Sequence, residues 1–417
     1  MQNVNERRIV PKTPIPATNA KIIEAPHPQL EVDIGFAARL VGLDSTHLET
    51  ILDEHIGEVP ENITGEHLAR VYSVTRPEGS LLCDRHFTSE EGANALEQFV
   101  DDLREPGQDD LFTDAVYHGD ALEHLIEFPE CEIQSVVTSP PYWGVRAYPE
   151  ECAVEWMDGT EVPFGCEDTP EQYIRHTVEF FERMRPALAE DATVFWNVGI
   201  TYNTRTQLRG SSSERLEAMA GDDEQDWEDF EAKRLSSGHE YLKDKDLALV
   251  PERIAAALQR ADWWVRSLIV WEKPNVMPEP VRDRPTTSHE YIIVAHPSTE
   301  SKFDEERWKK ASGVGGRQLD ESENLPTVWE MTPAQGEYSH AAPFPVELPA
   351  RCILCGSEEG DLVYDPFLGS GTTAVAAEEL DREWVGSEVV QDYVRTIDGR
   401  VGDGADQRGQ LTLKTEF

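Results

Sequence analysis

One stretch constrains this 417-residue chain more than any other: Asp361-Leu-Val-Tyr-Asp365 followed by Pro-Phe-Leu-Gly-Ser-Gly-Thr-Thr373. An apolar strand runs straight into a Gly-rich turn. The turn opens a helix over 373–380, and a second strand, Trp384-Val-Gly-Ser-Glu388, follows. Strand, tight turn and helix in that order form the building unit of a parallel α/β sheet. The same alternation recurs upstream. Strand patterns stand at 115–118, 135–138, 193–198, 264–271 and 291–295, and helical patterns at 120–128, 170–189 and 247–260. The expected fold is a doubly wound, mainly parallel sheet.

Residues 1–27 are polar and Pro-containing and read as a tail. Residues 28–110 read as a helical N-terminal extension. Two short helices fall within 34–56, with Gly42 between them and Asp44 or Ser45 as cap of the second, and another helix falls at 88–105. Ala38, Gly42 and Leu48 also suit a helix-turn-helix. Glu49, Asp53 and Glu54 make its second helix a poor face for phosphate, so a packing module is the favoured reading. The main domain is expected over 111–400. It is interrupted by an acidic, Ser-rich insertion at 204–245, a possible target-recognition element, and a peripheral tail occupies 401–417.

The chain carries 81 Asp and Glu against 37 Lys and Arg, a net charge of -44. The acidic excess is dispersed, which suits a protein working in molar salt, where charge is screened over about 3 Å. A halophilic archaeal or haloviral source is expected. No apolar run reaches the ~20 residues of a membrane span, and the N-terminus lacks an apolar leader, so the expected place is the cytoplasm. Six cysteines do not suggest a disulfide framework. Cys352-Ile-Leu-Cys355 lacks a second ligand pair, so no metal is expected and buried thiols beside a strand are.

Two segments carry chemistry. Glycines in the 365–373 loop allow close approach of a ligand, and a helix start favours an anionic group. Three ligands compete for such a loop. A phosphate loop needs Lys after the last Gly, where this chain has Thr372, and a dinucleotide loop needs a third Gly, which is absent. S-adenosylmethionine needs a Gly loop and an acid for its ribose, and Glu388 ends the next strand. The second segment, Thr138-Ser-Pro-Pro-Tyr-Trp143, follows a strand end. Ser139 Oγ and the Pro140 carbonyl are acceptors suited to drawing hydrogens from a base amino group, whose lone pair is otherwise tied up in the ring. Pro141 stiffens the turn, and Tyr142 offers a surface for a flipped base.

Taken together and in this order, the segments resemble the N4-cytosine/N6-adenine DNA methyltransferases of the β arrangement, over roughly 114–398. Further blocks carry the likeness: Tyr117-His-Gly-Asp-Ala-Leu122, Trp196-Asn-Val-Gly199, Leu242-Lys-Asp-Lys-Asp-Leu247, Trp271-Glu-Lys-Pro-Asn-Val-Met-Pro278, Asp283-Arg-Pro-Thr-Thr-Ser-His-Glu290 and Phe344-Pro-Val-Glu-Leu-Pro349. Ile200 departs from the Asp the family usually has there.

The resemblance implies S-adenosylmethionine as methyl donor, held by Asp120, Phe344, Asp365, Phe367, Gly369, Ser370, Gly371, Thr372 and Glu388. It implies catalysis by Ser139, Pro140, Pro141 and Tyr142, and contact with double-stranded DNA through Trp143, Trp271, Lys273, Asn275, Arg282, Arg284 and His289. Ser before the prolines is commoner among N4-cytosine members, so that target is favoured, with N6-adenine as the alternative. A non-catalytic DNA-binding or regulatory protein on the same fold is a reading of another class, and the intact blocks argue against it. C5-cytosine chemistry needs a Cys nucleophile, usually after Pro, and no Pro-Cys step occurs.

Residues 263–317 hold nine Lys and Arg against eight Asp and Glu, near neutral in so acidic a chain. Lys273, Arg282, Arg284, Lys302, Arg307, Lys309, Lys310 and Arg317 are expected to form a basic strip along DNA. Target recognition is expected within 200–250 and 296–335. A cognate restriction endonuclease is a possible partner.

Overall fold

The alternating pattern of residues 115–388 builds one eight-stranded sheet in a computed structural model. The structure describes residues 30–104, 111–145, 152–203, 239–276, 282–310, 324–333 and 344–401, apart from 58, 112, 131 and 275. Asn275, Arg317, the 1–27 and 402–417 tails and most of the 204–245 insertion therefore lie outside the described residues.

The described residues begin with β1 (Glu31–Val32), α1 (Ile34–Val41), α2 (Ser45–Ile56), β2 (Ile63–Thr64), α3 (Gly65–Thr75), α4 (Asp84–Thr88) and α5 (Glu90–Arg104). Next come β3 (Ala115–His118), α6 (Ala121–Glu127), β4 (Ile133–Thr138), the hairpin β5 (Val154–Glu155) and β6 (Glu161–Val162), α7 (Pro170–Met184) and β7 (Leu188–Val198). Then follow α8 (Val250–Arg260), β8 (Trp264–Glu272), β9 (His289–His296), α9 (Glu305–Lys310), β10 (Val328–Glu330) and α10 (Glu347–Gly356). The last elements are β11 (Leu362–Asp365), α11 (Thr372–Glu379), β12 (Glu383–Glu388) and α12 (Gln391–Val401).

The sheet order is β10-β8-β9-β7-β4-β11-β12-β3. Every neighbouring pair is parallel except those of β9, which runs antiparallel to both β7 and β8. The expected doubly wound, mainly parallel sheet is what forms. All six residues of β4 are buried, as a strand covered on both faces requires. Alternate residues serve two cores. Val136, Val194 and Tyr364 join the core under α6, α7 and α8, whereas Val137, Phe195 and Val363 join the one under α10 and α11.

Strand order reverses between β4 and β11. From β4 the chain builds outward to β7, β9 and β8 on one side, and later returns to add β11 and β12 on the other. The carboxyl ends of β4 and β11 are therefore adjacent, and a crevice opens beyond them.

The helical extension packs into the same core as the sheet rather than standing apart. Asp33 and Asp44 cap α1 and α2, and Gly42 closes α1 at φ 76°. Arg39 Nε meets Glu182 Oε2 on α7 at 3.1 Å, and Arg260 donates to the Glu78 carbonyl at 2.8 Å. Cys352 and Cys355 are buried in α10 where it packs on β4 and β7, and burial pushes both thiols up. Among the described residues no group of side chains suits a metal ion, and no helix is long and apolar enough to cross a membrane.

Candidate active site

Both predicted segments sit at the strand reversal. β4 delivers Ser139 and β11 delivers the Gly-rich loop. A buried knot joins them: Asp365 Oδ1 accepts from Thr138 Oγ1 at 2.6 Å and from Phe367 N at 3.0 Å, and Oδ2 accepts from Thr373 Oγ1 at 2.6 Å. Burial pushes this carboxyl up to about 6. Asp365 was expected at the cofactor, yet its 1% exposure and internal bonds make it the clasp that holds the loop to β4.

The loop itself turns through Gly369 at φ 55° and Gly371 at φ 83°. Gly371 precedes α11 without a side-chain cap, which leaves the first N–H groups of that helix open to an anion. Glu388 Oε2 accepts from Gly369 N and Oε1 from Val390 N, each at 2.7 Å, so the end of β12 is tied to the loop. Ser370 accepts from Arg400 through both its carbonyl and its hydroxyl. Phe367 stacks on Phe164 at 5.5 Å. Asp120 follows the end of β3 and caps α6, accepting from Leu122 N at 3.0 Å. Phe344 is half-buried just ahead of α10.

Burial pushes Glu388 up to about 7, against the backbone hydrogen bonds that favour its charged form. A carboxyl raised in this way contributes stability fully below its unfolded value near 4.5, and loses it as pH rises through about 7. The urea midpoint of the ligand-free protein, minus that of Glu388→Gln, should therefore fall between these two pH values and level off above. A flat difference would show that the burial cost is not there.

On the other side of the crevice, Tyr142 OH is the hub. It donates to Glu290 Oε2 at 2.7 Å, lies 3.0 Å from Ser139 Oγ, and accepts from Asn197 Nδ2 at 2.7 Å. Asn197 Nδ2 also reaches Glu290 Oε2 at 2.9 Å and Ser139 Oγ at 3.3 Å. Lys273 Nζ pairs with Glu290 Oε1 and lies 4.3 Å from the Trp271 ring centre. Burial, then the Glu290 carboxylate, hold the Tyr142 hydroxyl well above the usual tyrosine range, so it stays a donor. Tyr173 OH donates to the Pro141 carbonyl at 2.9 Å and fixes the turn. The Pro140 carbonyl has no described partner of this kind.

Gly199 follows the last residue of β7, beside this hub. A Cβ there would sit 2.6 Å from the Tyr142 ring, so only glycine lets the ring lie against the backbone. Gly199→Ala should displace Tyr142 and lower turnover at least ~10-fold at a stability cost of about 1–3 kcal/mol. Steady-state rates together with urea unfolding check both figures.

Several DNA-side expectations are corrected. Trp143 is fully buried and donates to the Glu167 carbonyl at 3.0 Å. Trp271 is 3% exposed and donates to the Met331 carbonyl at 2.9 Å. Each indole bonds inward and anchors the wall behind the site, so neither is a DNA contact. Of the expected basic strip, Arg317 and the side chains of Lys309 and Lys310 lie outside what is described, and the described members do not share one surface. Lys302 and Arg307 pair with Asp361 and Glu358, near the start of β11, on the sheet edge opposite the crevice. Arg284 lies over the Tyr202 ring at 3.9 Å, and Arg282 is exposed beside it in sequence. His289 opens β9 on the crevice side, edge-on to Tyr291. Asn197 and Glu290 lie within the Trp196–Gly199 and Asp283–Glu290 blocks, and nothing in the sequence alone sets them in the site. Their position depends on strand direction, since the start of the antiparallel β9 lies beside the ends of β7 and β8.

The model of the N6/N4 DNA methylase family matches residues 133–398. The Type II methyltransferase M.Cfr9I of Citrobacter freundii is 36% identical over 279 residues, 67% of this chain and 84% of that one. M.SmaI of Serratia marcescens is 34% identical over 316 residues, 74% of this chain and 97% of that one. Among solved structures, the cytosine-N4-specific PvuII DNA methyltransferase is similar at a TM-score of 0.48 and 20% identity, over 69% of this chain and 85% of that one. The chain belongs to the N6/N4 DNA methylase family. It is an S-adenosylmethionine-dependent, site-specific DNA methyltransferase.

Proposed function

We propose that this enzyme methylates N4 of cytosine in double-stranded DNA, with Ser139 and the Pro140 carbonyl receiving the amino hydrogens. The observation that carries this reading is Ser139 itself. A short neutral hydroxyl stands at the end of β4, oriented by Tyr142 and Asn197, where Asp or Asn leads in N6-adenine members. The crevice fits the donor on this chain's own features. The open start of α11 suits a carboxylate, and Glu388, beside the loop, suits ribose hydroxyls. Phe367, Asp120 and Phe344 complete the same wall. Bound there, S-adenosylmethionine supplies a methyl group on a positively charged sulfur. Tyr142 presents its ring to the flipped base, while Pro141 and Tyr173 keep the turn rigid.

Arg282, Arg284, His289 and Lys273 are the DNA contacts in this reading, with Asn275 beside them in sequence. Relatives bearing the name Type II methyltransferase support a cognate restriction endonuclease as partner. The dispersed charge of -44 supports work in molar salt, in a halophilic cytoplasm. One experiment tests the reading: modified-base sequencing of DNA from a host expressing the protein at high salt. N4-methylcytosine at one recurring sequence is expected. N6-methyladenine instead would overturn the target base, and methylation only at low salt would overturn the halophilic reading.

A further inference from the structure

The hydrogen bonds around Tyr142 have a direction. Tyr142 has one hydroxyl proton, and Glu290 Oε2, a carboxylate oxygen that can only accept, takes it at 2.7 Å. The Tyr142 oxygen is then an acceptor toward Ser139 Oγ, 3.0 Å away, so the Ser139 proton points at Tyr142. Asn197 Nδ2 can only donate, and it reaches all three oxygens. The result is a polarised row, Ser139 to Tyr142 to Glu290, which leaves a lone pair on Ser139 Oγ for an incoming N–H. Lys273 holds the far oxygen of Glu290 and fixes the carboxylate in place. Glu290 is 16% exposed at its side chain, enough to return a proton to solvent.

We propose that Glu290 is the positioning residue that sets this polarity and the terminus to which the amino proton is passed. The proposal builds on Ser139 as the acceptor for the target amine. In the transfer, the amine nitrogen's lone pair forms the new N–C bond, and the S–C bond breaks with its electron pair left on sulfur. The nitrogen must then lose one proton. Ser139 Oγ takes it and gives its own to Tyr142, which gives its proton to Glu290 Oε2. The carboxylate ends neutral, the base ends as the neutral methylated amine, and no further reactant is needed. Glu290 acts wholly through Tyr142 and Ser139.

The test is Glu290→Gln in the full chain, with single-turnover methylation of duplex DNA and calorimetric binding of S-adenosylmethionine. The rate should fall about 100-fold, the lower end of what positioned proton transfer supplies, while cofactor and DNA affinities stay within about 3-fold. Glu290→Asp should restore part of the rate. Tyr142→Phe keeps the ring but breaks the row, so it should lose a similar factor, and the double variant should lose no more than either single one. Glu290→Gln with Lys273→Met removes the unpaired ammonium and should stay slow.

A Glu290→Gln enzyme at wild-type rate overturns the proposal. So does recovery in the Lys273 double variant, or multiplication of the two single losses. If Glu290→Gln fails to bind cofactor, Tyr142→Phe at wild-type rate overturns it alone. An active Ser139→Ala enzyme would instead sink the amine-acceptor reading beneath it.

Discussion

Ser139→Ala should lower the methylation rate about 10²–10⁴-fold and leave binding of S-adenosylmethionine unchanged. The side chain lies on the β4 side of the crevice, and among the described residues its hydroxyl bonds to Tyr142 and Asn197, so its loss removes an acceptor and not a support. The proposed cofactor wall is built on β11, β12 and the loop between β11 and α11, and none of its described bonds involves Ser139. Incorporation of labelled methyl groups into DNA, with calorimetry on the same sample, separates the two effects. Turnover near that of the wild type would remove Ser139 from the chemistry.

Asp365→Ala should be costly in a different way. It strands the hydroxyl of Thr138 and the Phe367 N–H in a buried place, while Thr373 keeps one weaker acceptor, the Val137 carbonyl at 3.3 Å. Buried groups left without partners cost about 1–3 kcal/mol each and do not add fully, so a loss of about 2–4 kcal/mol is expected. Cofactor binding should be lost with it, because the loop is no longer clasped to β4. Asp365→Asn can still accept from Thr138 and Phe367 and donate to Thr373 Oγ1, so it should stay within about 1 kcal/mol of wild type. Urea unfolding checks both. An alanine variant of full stability would show that the clasp is not what holds the loop.

Much of this arrangement was legible in the sequence because it depends on local pattern. The continuous apolar run of β4 reads as a strand covered on both sides, and the 365–373 loop reads as a strand-to-helix turn, since Gly371 meets a backbone demand that its neighbours on the chain reveal. What was missed depends on direction and partnership. Trp143 and Trp271 stand in blocks read as facing DNA, but nothing in a sequence says which way an indole points, and an inward carbonyl can satisfy its one N–H. The sequence shows Lys302 and Arg307 as cations but not that the acids neutralising them stand 59 and 51 residues further along. Glu290 entered the site because β9 runs backward, and the reversal cannot be seen from the apolar run of β9 alone.

The neighbours of β12 have a consequence for how the molecule comes apart. Its edge partner β3 is drawn from residues 115–118, and its inner neighbour β11 from residues 362–365, which in turn lies against β4 at 133–138. Early and late stretches of chain are thus shuffled like two halves of a deck. The half of the crevice on β11 and β12 is closed by β3 from the start of the domain, so no contiguous fragment contains that half finished, and its loss strips β4 of a covering neighbour. Melting should be all-or-none across the sheet, and a ligand seated on the late strands should protect the early ones from hydrogen exchange as fully as its own.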